Sequence, residues 1–155
     1  EIGKGTTFNI YLPLMEQSSQ RMTAEPLTAS AKGRENILLV DDEESVAKLE
    51  GQMLSRLGYQ VTVKVSSREA LEVFKANPNG FDLVISDMTM PSMTGDQLAK
   101  EIFSIAPKTP IIICTGFSER INNEQAEALG VKGFLMKPVL KAELARTVRE
   151  ILDKQ

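Results

Sequence analysis

Asp87 follows Leu83, Val84, Ile85 and Ser86 in the stretch FDLVISDMTMP (residues 81–91), and Pro91 stands four residues beyond it. A strand buried on both faces of a sheet reads as a continuous apolar run, and an unpaired charge at its end is costly if it stays inside. Either Asp87 caps a turn in solvent, or the fold holds its carboxylate at the rim of a sheet for chemistry. Further polar residues stand in the same relation to apolar runs: Asp41 and Asp42 after NILLV, Thr115 in PIIICTG, and Lys137 after GFLM. Three clustered carboxylates repel one another, so without a counter-ion at least one pKa must rise. A hard divalent cation relieves that repulsion, and oxygen ligands with retained waters suit Mg²⁺. Lys137 supplies a compact positive charge and Thr115 a hydroxyl, so the set could cradle a tetrahedral oxyanion attached to one carboxylate. Phosphoryl transfer depends mostly on positioning and charge neutralisation, and a carboxylate is a recognised covalent acceptor of phosphate.

These residues converge only if the elements carrying them form one sheet. The chain reads as strands alternating with helices from Glu35 onward: strands at 36–40, 59–65, around 83–87, 110–116 and 133–136. Between the first two, helical spacing places Val46, Leu49, Met53, Leu54 and Leu57 on one face, with Gly58 closing the helix. Ser66 and Glu69 suit a capping box for the next helix, with Leu71 and Phe74 as its core residues. A third helix runs through Leu98, Ile102 and Ile105, a weakly apolar fourth through 119–129, and a last one through Leu140, Leu144, Val148 and Ile151. Strands alternating with helices imply a parallel sheet covered on both faces. In such a sheet the carboxyl ends of the strands share one edge, where ligands bind. The second strand ends in Ser66-Ser67, as expected of a strand at the sheet's outer edge.

Composition limits the chemistry. The 155 residues contain no histidine and one cysteine, and carry a net charge of −3. No imidazole catalysis, imidazole metal site or phosphohistidine can be encoded in this stretch, and Cys114 reads as a small buried hydrophobe. No basic stripe points to nucleic acid, and no long apolar span or signal-peptide pattern points to direct membrane contact. Residues 6–14, TTFNIYLPL, alternate as a strand with Phe8, Ile10 and Leu12 on one face, and 16–34 read as a polar linker. A chain that begins at Glu1 is expected to be a piece of a longer protein.

VDDEE, ISDMTMP, CTG and MKP, in that order and at that spacing, resemble the receiver domain of two-component response regulators over residues 35–155. The resemblance implies a flavodoxin-like (βα)5 doubly wound α/β fold with a five-stranded parallel sheet in the order 2-1-3-4-5. It implies that Asp87 is the phospho-acceptor, and that Asp42, Asp87 and the backbone carbonyl of Thr89 hold Mg²⁺, with Asp41 acting largely through water. Lys137 would pair with the phosphoryl group, its bond to Pro138 being cis, and Thr115 and Phe134 would act as switch residues. Thr89 and Phe117 would set the phosphate lifetime. The donor would be a phosphohistidine on a histidine-kinase core or a phosphotransfer domain. Output would pass through the face built by the fourth helix, fifth strand and last helix.

GKGTTFNIYLP resembles the last strand of a histidine-kinase ATP-binding domain. The three parts are then a kinase remnant (1–15), a linker (16–34) and the receiver (35–155), as in a hybrid sensor kinase. The stretch is expected to be cytoplasmic, to catalyse its own phosphorylation and dephosphorylation, and to lack histidine-kinase activity and ATP binding. GKGTT has neither the spacing nor the following helix of a P-loop. The strand at 6–14, without its parent sheet, is expected either to be disordered or to pair with a neighbouring chain in a homodimer. Two other readings compete with the phospho-acceptor: a docking module whose site is vestigial, and a dehalogenase-type hydrolase. The last would want an acid two residues after Asp87, where Thr89 stands.

Overall fold

Five parallel strands form one sheet in the order β2-β1-β3-β4-β5: β1 (Asn36–Val40), β2 (Gln60–Lys64), β3 (Leu83–Asp87), β4 (Ile111–Thr115) and β5 (Gly133–Met136). The computed structural model describes Gly3, residues 33–116 and residues 130–154. Within them lie four helices: α1 (Glu44–Arg56), α2 (Ser67–Ala76), α3 (Gly95–Ile105) and α4 (Lys141–Leu152). The fold is the expected flavodoxin-like one, with β2 at an edge. The expected strand at 6–14, the linker up to residue 32, the helix at 119–129 and Phe117 lie outside the described residues.

β3 and β4 are buried at every position, because helices cover both faces of the sheet. Alternate strand residues therefore feed two cores. Ile37, Leu39, Ile85, Ile112, Cys114 and Leu135 pack with Leu54 of α1, with Leu57 just past its end, and with Leu144 and Val148 of α4. Leu38, Val40, Val84, Ile111 and Ile113 pack on the other side with Leu71 and Phe74 of α2 and Leu98 and Ile102 of α3. Ser66 caps α2 by accepting a hydrogen bond from the Glu69 N–H. At the end of α1, Gly58 takes a φ of +99°, and the Tyr59 N–H reaches back to the Leu54 carbonyl. This is the glycine-terminated helix end that left-handed backbone permits.

One helical face differs from the expected one. Leu49 is 54% exposed, while the buried residues of α1 are Ala47, Glu50, Gly51 and Leu54. The reason is close approach: a Cβ on Gly51 would lie 2.9 Å from the Val63 Cγ2 of β2. A helix this near the sheet must turn its small residues inward, and Leu49 is rotated out. Leu140 is also exposed because it precedes α4 as its N-cap residue and lies outside the buried stripe of that helix.

Phe74 is completely buried and stacks on Phe81, their ring centroids 6.1 Å apart. Phe74→Ala removes a large ring from a closed site and is expected to destabilise the fold by about 3–5 kcal/mol. A lowered urea midpoint with an unchanged slope is the measurement.

Candidate functional site

The parallel register brings the ends of three strands together. Val40 pairs with Ser86 and Asp87 with Cys114, so Asp41 and Asp87 emerge side by side from β1 and β3. Thr115 pairs with Met136, which sets Lys137 one residue past the same rim. From there the Lys137 Nζ reaches back across the sheet to two carboxylates. It lies 2.8 Å from Asp41 Oδ2 and 2.7 Å from Asp87 Oδ1. Asp41 is 1% exposed and Asp87 6%, so each depends on that ammonium. The Lys137–Pro138 peptide is cis, as the resemblance implies.

Backbone donors complete the carboxylate shells. The Glu43 N–H donates to Asp41 Oδ1 at 2.8 Å, and the Thr89 N–H donates to Asp87 Oδ2 at 3.2 Å. The Thr115 hydroxyl, buried at the end of β4, donates to the Gly116 carbonyl at 3.3 Å. Asp42 and the Thr89 side chain are exposed beside the pair. Phe134 is half-buried against the α2–α3 core. Met88 and Met90 are buried and Met93 packs beside them, so the methionines after Asp87 are packing residues.

The charges of the rim do not balance. Burial raises the Asp87 pKa above the ordinary carboxylate value, and the Lys137 ammonium only partly offsets this. Burial works against the Lys137 charge, but its bonds to Asp41 and Asp87 win and hold its pKa above the usual lysine value. Among the described residues no group of three acidic or cysteine side chains forms a ready-made metal cage. The rim instead offers two carboxylates close enough to share one ammonium, with Asp42 exposed beside them. That donor set fits Mg²⁺, which binds through one or two carboxylates and keeps several waters.

Two residues that shape the rim escape a reading by motif. Gly95, the first residue of α3, donates its N–H to the Met88 carbonyl at 2.8 Å, and a Cβ there would collide with the Asp87 carbonyl oxygen. Its only sequence signal is a glycine opening a helix just after the acceptor loop. Glu50 lies on the buried face of α1, 4% exposed, with no ion pair among the described residues. Burial, reinforced by Asp41, pushes its pKa up to about 7 against the partial opposition of Lys137. The sequence signal for it is indirect: Ala47 and Gly51 mark the face that must lie against the sheet, and Glu50 falls within it.

The response regulator receiver domain family matches residues 37–149. The sensor kinase CckA of Brucella abortus is 35% identical over 164 aligned residues, which cover 100% of this chain and 17% of that kinase. The transcriptional regulatory protein GlrR of Escherichia coli is 39% identical over 119 residues, covering 77% of this chain and 26% of that regulator. The chain thus spans about a quarter or less of the length of these relatives. Among solved structures, a receiver domain protein from Clostridium thermocellum superposes with a TM-score of 0.74 at 32% identity, covering 77% of this chain and 95% of that one.

The buried Glu50 makes stability depend on pH. Its folded pKa of about 7 lies above the ordinary value of 4.5, so the folded form binds the proton more tightly. The fold is therefore least penalised below about pH 4.5, loses stability as pH rises through 7, and levels off above it. Glu50→Gln is expected to match the parent near pH 4.5 and to exceed it by roughly 2–3 kcal/mol at pH 8. Urea denaturation at the two pH values checks this, and a pH-independent difference would remove the assignment.

Proposed function

The chain belongs to the response regulator receiver domain family of two-component signalling, and from that premise we propose that Asp87 accepts a phosphoryl group from a phosphohistidine. The observation that carries the reading is the Lys137 ammonium held at 2.8 and 2.7 Å between Asp41 and Asp87. A vestigial site would have no need to keep two buried carboxylates at one rim against their mutual repulsion.

In the reaction, a carboxylate oxygen of Asp87 attacks phosphorus as the P–N bond to the donor imidazole breaks, and the electron pair of that bond leaves with the imidazole nitrogen. The Lys137 ammonium moves with the growing negative charge, exchanging part of its contact with the carboxylates for the phosphoryl oxygens. The Thr89 N–H holds the acceptor carboxylate in orientation. Asp42, Asp87 and the Thr89 carbonyl would hold Mg²⁺, with Asp41 acting largely through water, and the ion would supply charge neutralisation. Loss of the phosphoryl group proceeds by water attack on the acyl phosphate, with Thr89 and Phe117 setting its lifetime. The added charge biases two pre-existing arrangements, and Thr115 and Phe134 carry the change to the face around β5.

The donor is a protein. Leu49 and Leu140 are 54% and 63% exposed, and they stand on the elements that follow Asp42 and Lys137. Apolar side chains so placed suit a docking partner that brings its phosphohistidine to the rim. The match of the whole chain to a sensor kinase supports a receiver that follows a kinase core in one polypeptide, with residues 1–15 as the kinase remnant and 16–34 as the linker. Among the described residues no helix is long and apolar enough to cross a membrane.

Incubation with a small-molecule phosphodonor and Mg²⁺ is expected to add one phosphoryl group to the intact mass, and Asp87→Asn is expected to abolish the gain. A folded, Mg²⁺-binding protein that gains nothing would leave a docking module in place of an acceptor. Leu49→Asp is expected to leave labelling by the small donor unchanged while slowing transfer from a phosphohistidine protein by about tenfold or more. Equal slowing with both donors would remove Leu49 from the docking surface.

A further inference from the structure

Residues 33–35 precede β1 and belong to no helix or strand, yet they are tightly seated. The Gly33 N–H donates to the Leu57 carbonyl at 3.1 Å, and the Gln60 N–H donates to the Glu35 carbonyl at 3.0 Å. The Gln60 side-chain amide reaches the Arg34 carbonyl at 3.5 Å. Two glycines make room for this path. A Cβ on Gly33 would collide with the Tyr59 ring, and one on Gly58 would collide with the Gly33 carbonyl oxygen.

Arg149, in the last turn of α4, closes the arrangement. One guanidinium nitrogen lies 2.8 Å from Glu35 Oε1, and its Nε lies 2.8 Å from Asp153 Oδ1. The same guanidinium acts electrostatically on the side chain of the buried Tyr59. The Arg149 side chain is only 15% exposed and that of Glu35 27%, so the pair is better shielded than an ordinary surface ion pair. Its strength shows in the Glu35 carboxyl, which the Arg149 hydrogen bond holds below its usual pKa despite partial burial. A planar, pre-organised guanidinium loses little freedom in holding several acceptors at once.

α4 therefore has two attachments. It begins four residues after Lys137, the cation shared by the acceptor rim. About 18 Å further on, at 1.5 Å per residue, it ends at the clamp on the segment before β1. We infer that Arg149 latches the incoming chain to α4, so that a displacement of α4 is passed to whatever domain precedes residue 33. The latch stands on the geometry alone, and only the source of the displacement rests on the acceptor reading above. A displaced α4 either carries Glu35 with it or breaks the pair. In both cases the start of the domain reports the state of its far rim.

Amide hydrogen exchange on the whole chain tests the latch. Arg149→Gln and, separately, Glu35→Gln are expected to speed exchange of the Gly33 and Gln60 amides about tenfold, leaving the core amides of Leu38 and Ile112 unchanged. The charge-exchanged pair Glu35→Arg with Arg149→Glu is expected to restore much of the protection. Unchanged exchange at Gly33 and Gln60 in both single variants overturns the latch. Transmission is read by adding beryllium fluoride with Mg²⁺ as a stand-in for the phosphoryl group. The Met88 amide resonance is expected to shift in every form, and those of Gly33 and Gln60 only where Arg149 and Glu35 are paired. A shift at Met88 with none at Gly33 in the parent chain overturns transmission alone. No shift at Met88 overturns the acceptor reading, and transmission with it.

Discussion

One ammonium shared by two buried carboxylates is the constraint around which the domain is arranged. Asp41 and Asp87 have almost no access to water, and removing one partner of a buried ion pair leaves a charge that nothing solvates. Lys137 enters from the end of β5, two strands away from β3 in the sheet order, and its flexible stem spans the gap. The contact exists only if β1, β3 and β5 end at the same level. A parallel sheet guarantees that level, and a shift of register along any of the three strands would break it.

The same rim is unbalanced by design of its residue types. Two acids, Asp41 and Asp87, share one lysine, Asp42 is exposed next to Asp41 in the chain, and Glu50 adds a further carboxyl from the α1 side. Burial pushes Asp87 toward its neutral form while Lys137 pulls it back. A site balanced between desolvation and attraction responds strongly to any added charge, whether a cation or a phosphoryl group. Cys114 registers the same field without taking part in it: buried beside Asp87, its thiol is pushed well up by burial and by Glu50.

Most of the fold was legible in the sequence because buried parallel strands are built on apolar runs, so each strand end lies where the run gives way to polar residues. That change points to Asp41, Asp87 (one residue past Ser86), Thr115 and Lys137 together, and the topology then places them on one edge. The α1 face was misread for an equally physical reason. Periodicity arguments weight large apolar residues, so Leu49 was placed on the core face, and nothing marked Glu50 as buried. What decided the face was the need for a close helix–sheet approach at Gly51, a demand expressed through an absent side chain. Gly95 escaped in the same way, since its contribution is the Cβ it lacks beside the Asp87 carbonyl. Glu35 and Arg149 lie far apart in sequence, one just before β1 and one in the last turn of α4, and nothing local marks either as the other's partner.

The arrangement of α4 follows from these pieces together. A helix packed through Leu144, Ala145 and Val148 moves as a rigid body more readily than it deforms, because its interior hydrogen bonds are costly to break and its packed face is dense. Its N-terminal approach is tied to the rim through Lys137, and its C-terminal turn is tied through Arg149 to the segment before β1. A change in what Lys137 holds that exceeds the reach of its flexible stem must be absorbed either in the short connection of residues 138–140 or by the helix itself. Val139 in that connection packs against the α1–α4 core, which restricts the first option. Movement of the helix as a unit is then the softer path, and the incoming chain is the element fastened to its other end.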